Sequence, residues 1–156
     1  EENWSKRIAE FIDERRKLSP VKTTGELVDI IKAAIPKKAR QEGSHPAKRI
    51  FQAIRIEVNG EMKVLKQMLE QATDILAPGG RLVIMTYHSL EDRIVKNHIK
   101  GTDKKDKNHT DAHAMIFGQT KTALKPINKN VITASAEELA RNPRSRSAKL
   151  RIAEKS

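Results

Sequence analysis

Apolar residues recur at helical spacing through the first part of the chain. Residues 4–18 place apolar side chains at intervals of three, four and seven with charged residues between them, which predicts an amphipathic helix. Thr23 and Glu26 form a capping-box pattern that begins a second helix, and Pro36 ends it. The chain therefore begins with a helical region.

Two more helices are predicted before the pattern changes. Pro46 suits the first turn of a third helix, which continues to a turn signal at Asn59 and Gly60. A fourth helix begins at Glu61, and residues 77–80, Ala-Pro-Gly-Gly, end it.

The region from residue 81 onward has the pattern of a strand followed by a helix. Arg81–Tyr87 is a compact apolar and β-branched run, which predicts a strand buried on both faces. Ser89 begins the next helix, with Asp92 at its third position. Helix, tight turn, buried strand and capped helix are typical of a parallel α/β sheet, so we predict the α/β class.

The last third of the chain carries weaker signals. Residues 101–122 are polar and lysine-rich, which predicts a mobile loop with a short strand near 115–117. Residues 135–142 contain a capping-box pattern and predict a short helix. Residues 147–153 alternate small and apolar side chains and predict a final strand.

The basic charge of the chain is concentrated in two segments. The 156 residues carry a net charge of +11. Residues 36–55 hold six bases and one acid, and residues 141–156 hold the same numbers, while the rest has 19 bases and 18 acids. One such run is ordinarily a solvated face. Two runs on a neutral background favour a phosphate-binding surface, provided that the fold brings them together.

Composition excludes several kinds of site. There is no cysteine, hence no disulfide, thiolate metal site or cysteine nucleophile. The five aromatic residues are too few for an extended stacking surface. The longest apolar run has four residues, so we expect no membrane partner. Gly79 and Gly80 precede a strand instead of following one, so no dinucleotide or S-adenosylmethionine (AdoMet) loop is apparent.

The histidines give one candidate position. His109 and His113 have the spacing of metal ligands but lie in a polar segment without a third ligand, so we expect no metal site. His98 falls among the surface positions of its predicted helix, where solvation is expected. His88 directly follows the predicted strand, at the sheet edge where α/β proteins bind ligands. The alternative is that His88 and Asp92 only stabilise the turn from strand to helix.

Four strings, taken in order, resemble the bacterial-type 16S rRNA cytosine-N(4) methyltransferase family (RsmH/MraW). They are HPAKRIFQAIRI at 45–56, APGGRL at 77–82, HSLEDRIVK at 88–96 and NPRSRSAKLR at 142–151. The resemblance extends from about residue 4 to the end and is weakest over 101–122.

This resemblance implies the C-terminal half of a class I, Rossmann-like AdoMet-dependent methyltransferase sheet. Residues 1–45 would be part of an inserted all-helical domain, and residues 46–156 would be the C-terminal half of the methyltransferase core. The implied activity is methylation of the exocyclic N(4) amine of a cytosine in the decoding centre. The cofactor, AdoMet, would be bound mainly by a missing N-terminal half, and the catalytic residues are expected upstream of Glu1.

The resemblance also names candidate site residues. His88, Ser89 and Asp92 would lie at the edge of the catalytic cleft. The candidates for RNA contact are His45, Lys48, Arg49, Arg55, Arg93, Asn142, Arg144, Arg146 and Arg151. Structural roles compete with these, since Asn142 with Pro143 can end a helix and Arg146 can pair with Asp92.

The resemblance also implies the expected partners, which are 16S rRNA in the small ribosomal subunit and the missing N-terminal half, and a location in the cytoplasm. A homodimer of the isolated chain is the alternative, because a half sheet leaves a strand edge uncovered. A non-catalytic basic rRNA-binding module is the competing hypothesis, and an inactive proteolytic piece is a third.

Overall fold

The computed structural model describes residues 3–37, 39, 47–101 and 123–156. The chain divides into two compact units, residues 1–60 and residues 61–156. The expected short strand near 115–117 lies outside the described residues. The helices are α1 (Ser5–Leu18), α2 (Thr24–Ala34), α3 (Ala47–Asn59), α4 (Glu61–Ile75), α5 (Ser89–Lys100) and α6 (Ala136–Arg141). The strands are β1 (Arg81–Thr86), β2 (Leu124–Pro126), β3 (Ile132–Thr133) and β4 (Lys149–Lys155), with a 3₁₀ turn at Pro143–Ser147 before β4.

The first unit is helical in its described part and has its own apolar core. Ile8 and Ile31 are fully buried there, together with Ala34 and Ile35. Ala47, at the beginning of α3, belongs to the same cluster. The first compact unit thus includes α3, and the boundary near residue 45 between an inserted domain and the core stays a prediction.

The capping box predicted at the beginning of α2 is confirmed. The Glu26 amide donates to Thr23 Oγ1 at 3.2 Å, and the Thr23 amide donates to Glu26 Oε2 at 2.9 Å. Two amides that a helix N-terminus leaves without partners are thus satisfied. Four helices in this order, with breaks near Pro36 and Gly60, also match the sequence pattern.

The second unit contains a sheet of the order β1-β4-β2, with β3 also paired to β4. All three pairings are antiparallel, with Val83 opposite Ile152 in the register of β1 and β4. The expectation of a parallel sheet was therefore wrong for the described pairings. The helix after β1 suggested a parallel neighbour, but the last strand lies between β1 and β2 and runs opposite to both.

Helices α4 and α5 cover one face of this sheet, which we call the covered face. Its core consists of Leu69, Ile84, Val95, Ile99, Leu124 and Ala153. On the other, open face, Val83 is 56% exposed and Met85 is 53% exposed. The prediction that β1 is buried on both faces was wrong, because alternate residues of the strand point to opposite faces and only one is packed by described residues.

The turn between α4 and β1 requires its glycines. Gly79 has a φ of +79°, which favours glycine, and its amide donates to the Lys155 carbonyl at 2.9 Å. A Cβ at Gly80 would lie 2.8 Å from the Ala77 carbonyl oxygen. The Pro-Gly-Gly segment thus ends the helix, as predicted, and extends the pairing with β4. Among the helices of the described ranges, none is long and apolar enough to cross a membrane.

Candidate functional site

The connection from β1 to α5 brings the cleft-edge candidates together. His88 is the N-cap of α5 and Ser89 is its first residue, exposed to solvent. Glu91 Oε2 accepts hydrogen bonds from the amides of Tyr87 at 3.0 Å and His88 at 3.3 Å. The acid at the third helical position is therefore Glu91, so the assignment of that position to Asp92 was wrong.

The His88 ring is held inside this turn. Its side chain is 16% exposed, and Nε2 lies 3.2 Å from Glu91 Oε1. Both ring nitrogens are buried, and neither has well-formed hydrogen-bond geometry to a described residue. Ligand atoms of Glu61, His88 and Glu91 lie within 4.8 Å of one another, an arrangement that can hold a metal ion. The sequence did not group Glu61 with the other two, because it lies at the beginning of a different helix.

Asp92 makes the best-defined ion pair of the second unit. Arg151 Nε donates to Asp92 Oδ1 at 2.7 Å, and Arg151 Nη2 donates to Oδ2 at 3.1 Å. Lys149 Nζ lies 3.6 Å from Oδ2. Hydrogen bonding from Arg151 is the main cause that lowers the pKa of Asp92 below its ordinary value of 3.8, and the nearby positive charges add to it despite partial burial.

This contact corrects the expected partner of Asp92 and gives two candidate site residues, Asp92 and Arg151, a structural contact. The partner of Asp92 is Arg151, on the strand beside β1, whereas Arg146 lies exposed in the 3₁₀ turn. Asp92 and Arg151 are each mostly buried, at 13% and 16% exposure. Their geometry provides a link between α5 and β4.

A recess lies beside the carboxyl end of β1, on the open face. Its volume is about 380 Å³, and we call it the strand-end recess. Apolar side chains dominate its lining, and Tyr87, 57% exposed, lies at its edge. Asn142 and Arg144 also line it, and Asn142 Nδ2 donates to Glu138 Oε1 at 3.2 Å. Two of the predicted RNA-contact residues therefore share this recess with the residue before His88.

The remaining RNA-contact candidates are distributed over both units. Lys48, Arg49 and Arg55 are exposed on α3, in the first unit. Arg93 is exposed on α5, in the second. The two basic runs of the sequence thus lie largely in different units, and His45 lies outside the described residues.

The described glycines do not lie at the position that a glycine-rich cofactor loop requires. A cofactor loop needs glycine backbone between a strand and the N-terminus of a helix. Here Gly79 and Gly80 form the turn before β1, and Gly101 ends α5 in the left-handed conformation. The connection from β1 to α5 contains His88 instead of glycine, and Glu91 accepts hydrogen bonds from the amides of Tyr87 and His88.

Comparison with known proteins gives a consistent result. Residues 1–156 match the sequence profile of the MraW methylase family. The chain is 54% identical over 157 aligned residues to a protein of Clostridioides difficile (strain 630) named ribosomal RNA small subunit methyltransferase H, covering 99% of this chain and 50% of that protein. A Heliobacterium mobile protein of the same name is 54% identical over 155 residues, covering 99% of this chain and 49% of its own length. The chain thus spans about half the length of these curated relatives. It belongs to the MraW methylase family.

Proposed function

We propose that this chain is the C-terminal half of an enzyme that methylates the exocyclic N(4) amine of a cytosine in the decoding centre of 16S rRNA, with AdoMet as methyl donor. The observation that carries the proposal is the family match over residues 1–156, together with relatives named as small-subunit rRNA methyltransferases. The family name supports methyl transfer. The choice of cytosine N(4) comes from the four sequence strings and is the part that needs a direct test.

The fold supports a place in the C-terminal half of a class I methyltransferase sheet, after part of an inserted helical domain. Strand β4 lies antiparallel between β1 and β2, which run in the same direction. Helices α4 and α5 pack on one face, and the other edge of β1 has no strand partner among the described residues. An unpaired edge beside half-exposed apolar residues suits pairing with further strands. In our proposal the N-terminal half of the full-length protein supplies those strands and the AdoMet site.

The residues of this chain then act by holding the RNA. The strand-end recess forms one wall of the cleft, where Asn142 and Arg144 contact the nucleotides beside the target base. His88, fixed by the same turn that Glu91 caps, sets the position of that wall. On α3 the exposed Lys48, Arg49 and Arg55 are proposed to contact phosphates. Positioning of this kind supplies much of the rate when the nucleophile is a weakly reactive amine.

The direct test is methyl transfer by a full-length protein that contains this chain. The protein is incubated with AdoMet and either naked 16S rRNA or assembled small subunits. The RNA is then digested, and the methylated nucleosides are identified by mass spectrometry against standards. We expect one cytidine methylated on the exocyclic amine. A methyl group on the ring carbon or on the ribose would contradict the assignment, and no transfer to either substrate would leave the rRNA-binding module as the better description.

A paired substitution tests the recess. Arg144→Ala is expected to raise KM for the RNA about tenfold. A tenfold change corresponds to the loss of roughly 1.4 kcal/mol of binding free energy, the size expected for one charged contact. Arg141→Ala is the matched control, because Arg141 is exposed, pairs only weakly with Glu137 and Glu138, and does not line the recess. Equal effects of the two substitutions would mean that the weaker RNA binding comes from net charge and not from the recess.

Sedimentation of the isolated chain tests the predicted homodimer. The cytoplasmic location stays a prediction.

A further inference from the structure

A second recess lies on the covered face of the sheet, where α5 passes β2 and β4. Its volume is about 190 Å³, and three of its lining residues are Lys96, Lys100 and Lys129. Asn128 and Arg151 also line it, and we call it the lysine groove. Among the described residues that line it, four have cationic side chains and none has an acidic one. None of these lysines lies in the two basic runs that the sequence analysis identified.

The positive charge of the three groove lysines is not balanced by ion pairs with described residues. Arg151 is engaged by Asp92, which also has Lys149 within 3.6 Å, so one carboxylate faces two cations there. Lys96, Lys100 and Lys129 are exposed, and none of them forms a salt bridge to a residue in the described ranges. Three ammonium groups around one small recess repel one another, and a bound anion would relieve that repulsion.

The floor of the groove is joined to β4 by hydrogen bonds. Asn128 Oδ1 accepts a hydrogen bond from the Ile152 amide at 2.8 Å, and Asn128 Nδ2 donates to the Asn130 carbonyl. The Ile127 amide donates to the Ile152 carbonyl at 2.9 Å, so the segment that carries Lys129 is tied to β4. The lysines on α5 are one helical turn apart. Cations on two anchored elements therefore face a space large enough for a phosphate group.

We propose that the lysine groove binds the phosphodiester backbone of the RNA substrate. No aromatic side chain of the described ranges lines it, so these residues offer no surface for stacking a base. Lysines provide point charges that suit phosphates without reading sequence. This inference rests on the proposed function, because the family relatives are named as rRNA methyltransferases. An acidic protein is the alternative partner, and the test below separates the two.

The groove and the strand-end recess share no lining residue. Leu150 of β4 lines the recess, whereas Arg151 and Ile152 of the same strand line the groove. The groove is thus separated from the place where a nucleotide would be presented. It should affect RNA affinity, and therefore KM, while kcat at saturating RNA stays the same.

The test is a triple substitution in the full-length protein, Lys96→Gln with Lys100→Gln and Lys129→Gln. Binding of 16S rRNA is measured over a range of salt concentrations. If each lysine contacts one phosphate, the slope of log K against log salt should become less steep by about 2 to 3. Affinity at low salt should fall by at least about tenfold. Substitution of the same three lysines by arginine should keep both the salt slope and the low-salt affinity of the wild type.

The matched control removes the same charge elsewhere. Lys32, Lys63 and Lys66 are exposed on other helices and do not line the groove, so their substitution by Gln changes net charge equally. If the control triple weakens RNA binding and flattens the slope as much as the groove triple, the proposal is overturned and only general charge matters. Poly-glutamate is the second probe. Loss of poly-glutamate binding with unchanged RNA binding would assign the groove to an acidic protein.

The methylation assay distinguishes failure of this proposal from failure of the proposed function. A wild-type protein that methylates rRNA, with groove variants that bind like the control, overturns the groove alone. A wild-type protein that does not methylate, with groove variants that bind RNA more weakly than the control, overturns the enzyme assignment and supports the groove.

Discussion

The two faces of the sheet in the second unit differ in what they contribute. On the covered face, Leu69 and Val95 are completely buried between α4, α5 and the strands. On the open face, Val83 and Met85 keep more than half of their surface exposed, and the strand-end recess begins beside them. Both faces carry apolar residues of the same strand. The covered face therefore supplies stability, whereas the open face leaves apolar surface available for further chain or for ligand.

The largest predicted effect follows directly from this difference. Leu69→Ala should lower the free energy of unfolding by about 3 kcal/mol, because it leaves a cavity in a packed core. Val83→Ala should cost less than about 1 kcal/mol in the same chain, since the side chain is already half exposed. Urea unfolding followed by far-ultraviolet circular dichroism measures both. Equal costs would show that the open face is covered in solution.

The Asp92 contact gives the next effect on the covered face. Asp92→Asn removes the charge that Arg151 and Lys149 share, and the resulting unpaired cation should reduce stability by about 2 kcal/mol. Asp74→Asn is the control, because Asp74 is exposed on α4 and its side chain makes no salt bridge to a described residue. A cost for Asp92→Asn no larger than that of the control would show that the pair contributes nothing to the link between α5 and β4.

This pair also shows which features could be predicted from the sequence. The α5 helix, its first residue and the presence of an acid in its first turn followed from local patterns. The partner of Asp92 did not, because choosing Arg151 over Arg146 requires the register of β4 beside β1. Local patterns record capping and periodicity, whereas the order β1-β4-β2 depends on pairing between distant segments.

The candidate binding surfaces also differ in whether the sequence alone could predict them. The residues at the end of β1 could be chosen as candidates from the sequence, because α/β proteins bind ligands at the carboxyl ends of their strands. In the structure Tyr87 lines one recess together with Asn142 and Arg144. The lysine groove could not be selected, since Lys96 and Lys129 belong to separate elements and neither lies in a basic run. Total charge thus predicted an anionic partner, whereas the grouping of these lysines could be seen only in the fold.

The pH dependence of stability sharpens the role of Asp92. Its folded pKa is lowered, so the pair stabilises the protein fully above the ordinary value of 3.8, and that stability is lost as pH falls through the lower folded pKa. The difference in unfolding free energy between the wild type and Asp92→Asn should therefore shrink as the pH is lowered from 6 towards 3. A constant difference across that range would mean that the carboxylate is not stabilised by its partners.

The smallest effect concerns the packing of α4 against α5. Thr73 Oγ1 donates to the Leu69 carbonyl at 2.8 Å and lies 2.9 Å from His98 Nε2, so His98 is not simply solvated, as its surface position had suggested. Thr73→Val keeps the shape but leaves these groups without their hydroxyl partner, at a cost of about 1 kcal/mol. Thr86→Val is the control, because Thr86 is similarly buried but its hydroxyl reaches the Lys149 carbonyl only at 3.5 Å, where a hydrogen bond is weak. Thermal unfolding of the two variants side by side measures the difference. If Thr73→Val unfolds at the same temperature as Thr86→Val, the Thr73 hydroxyl does not help to hold the two helices together.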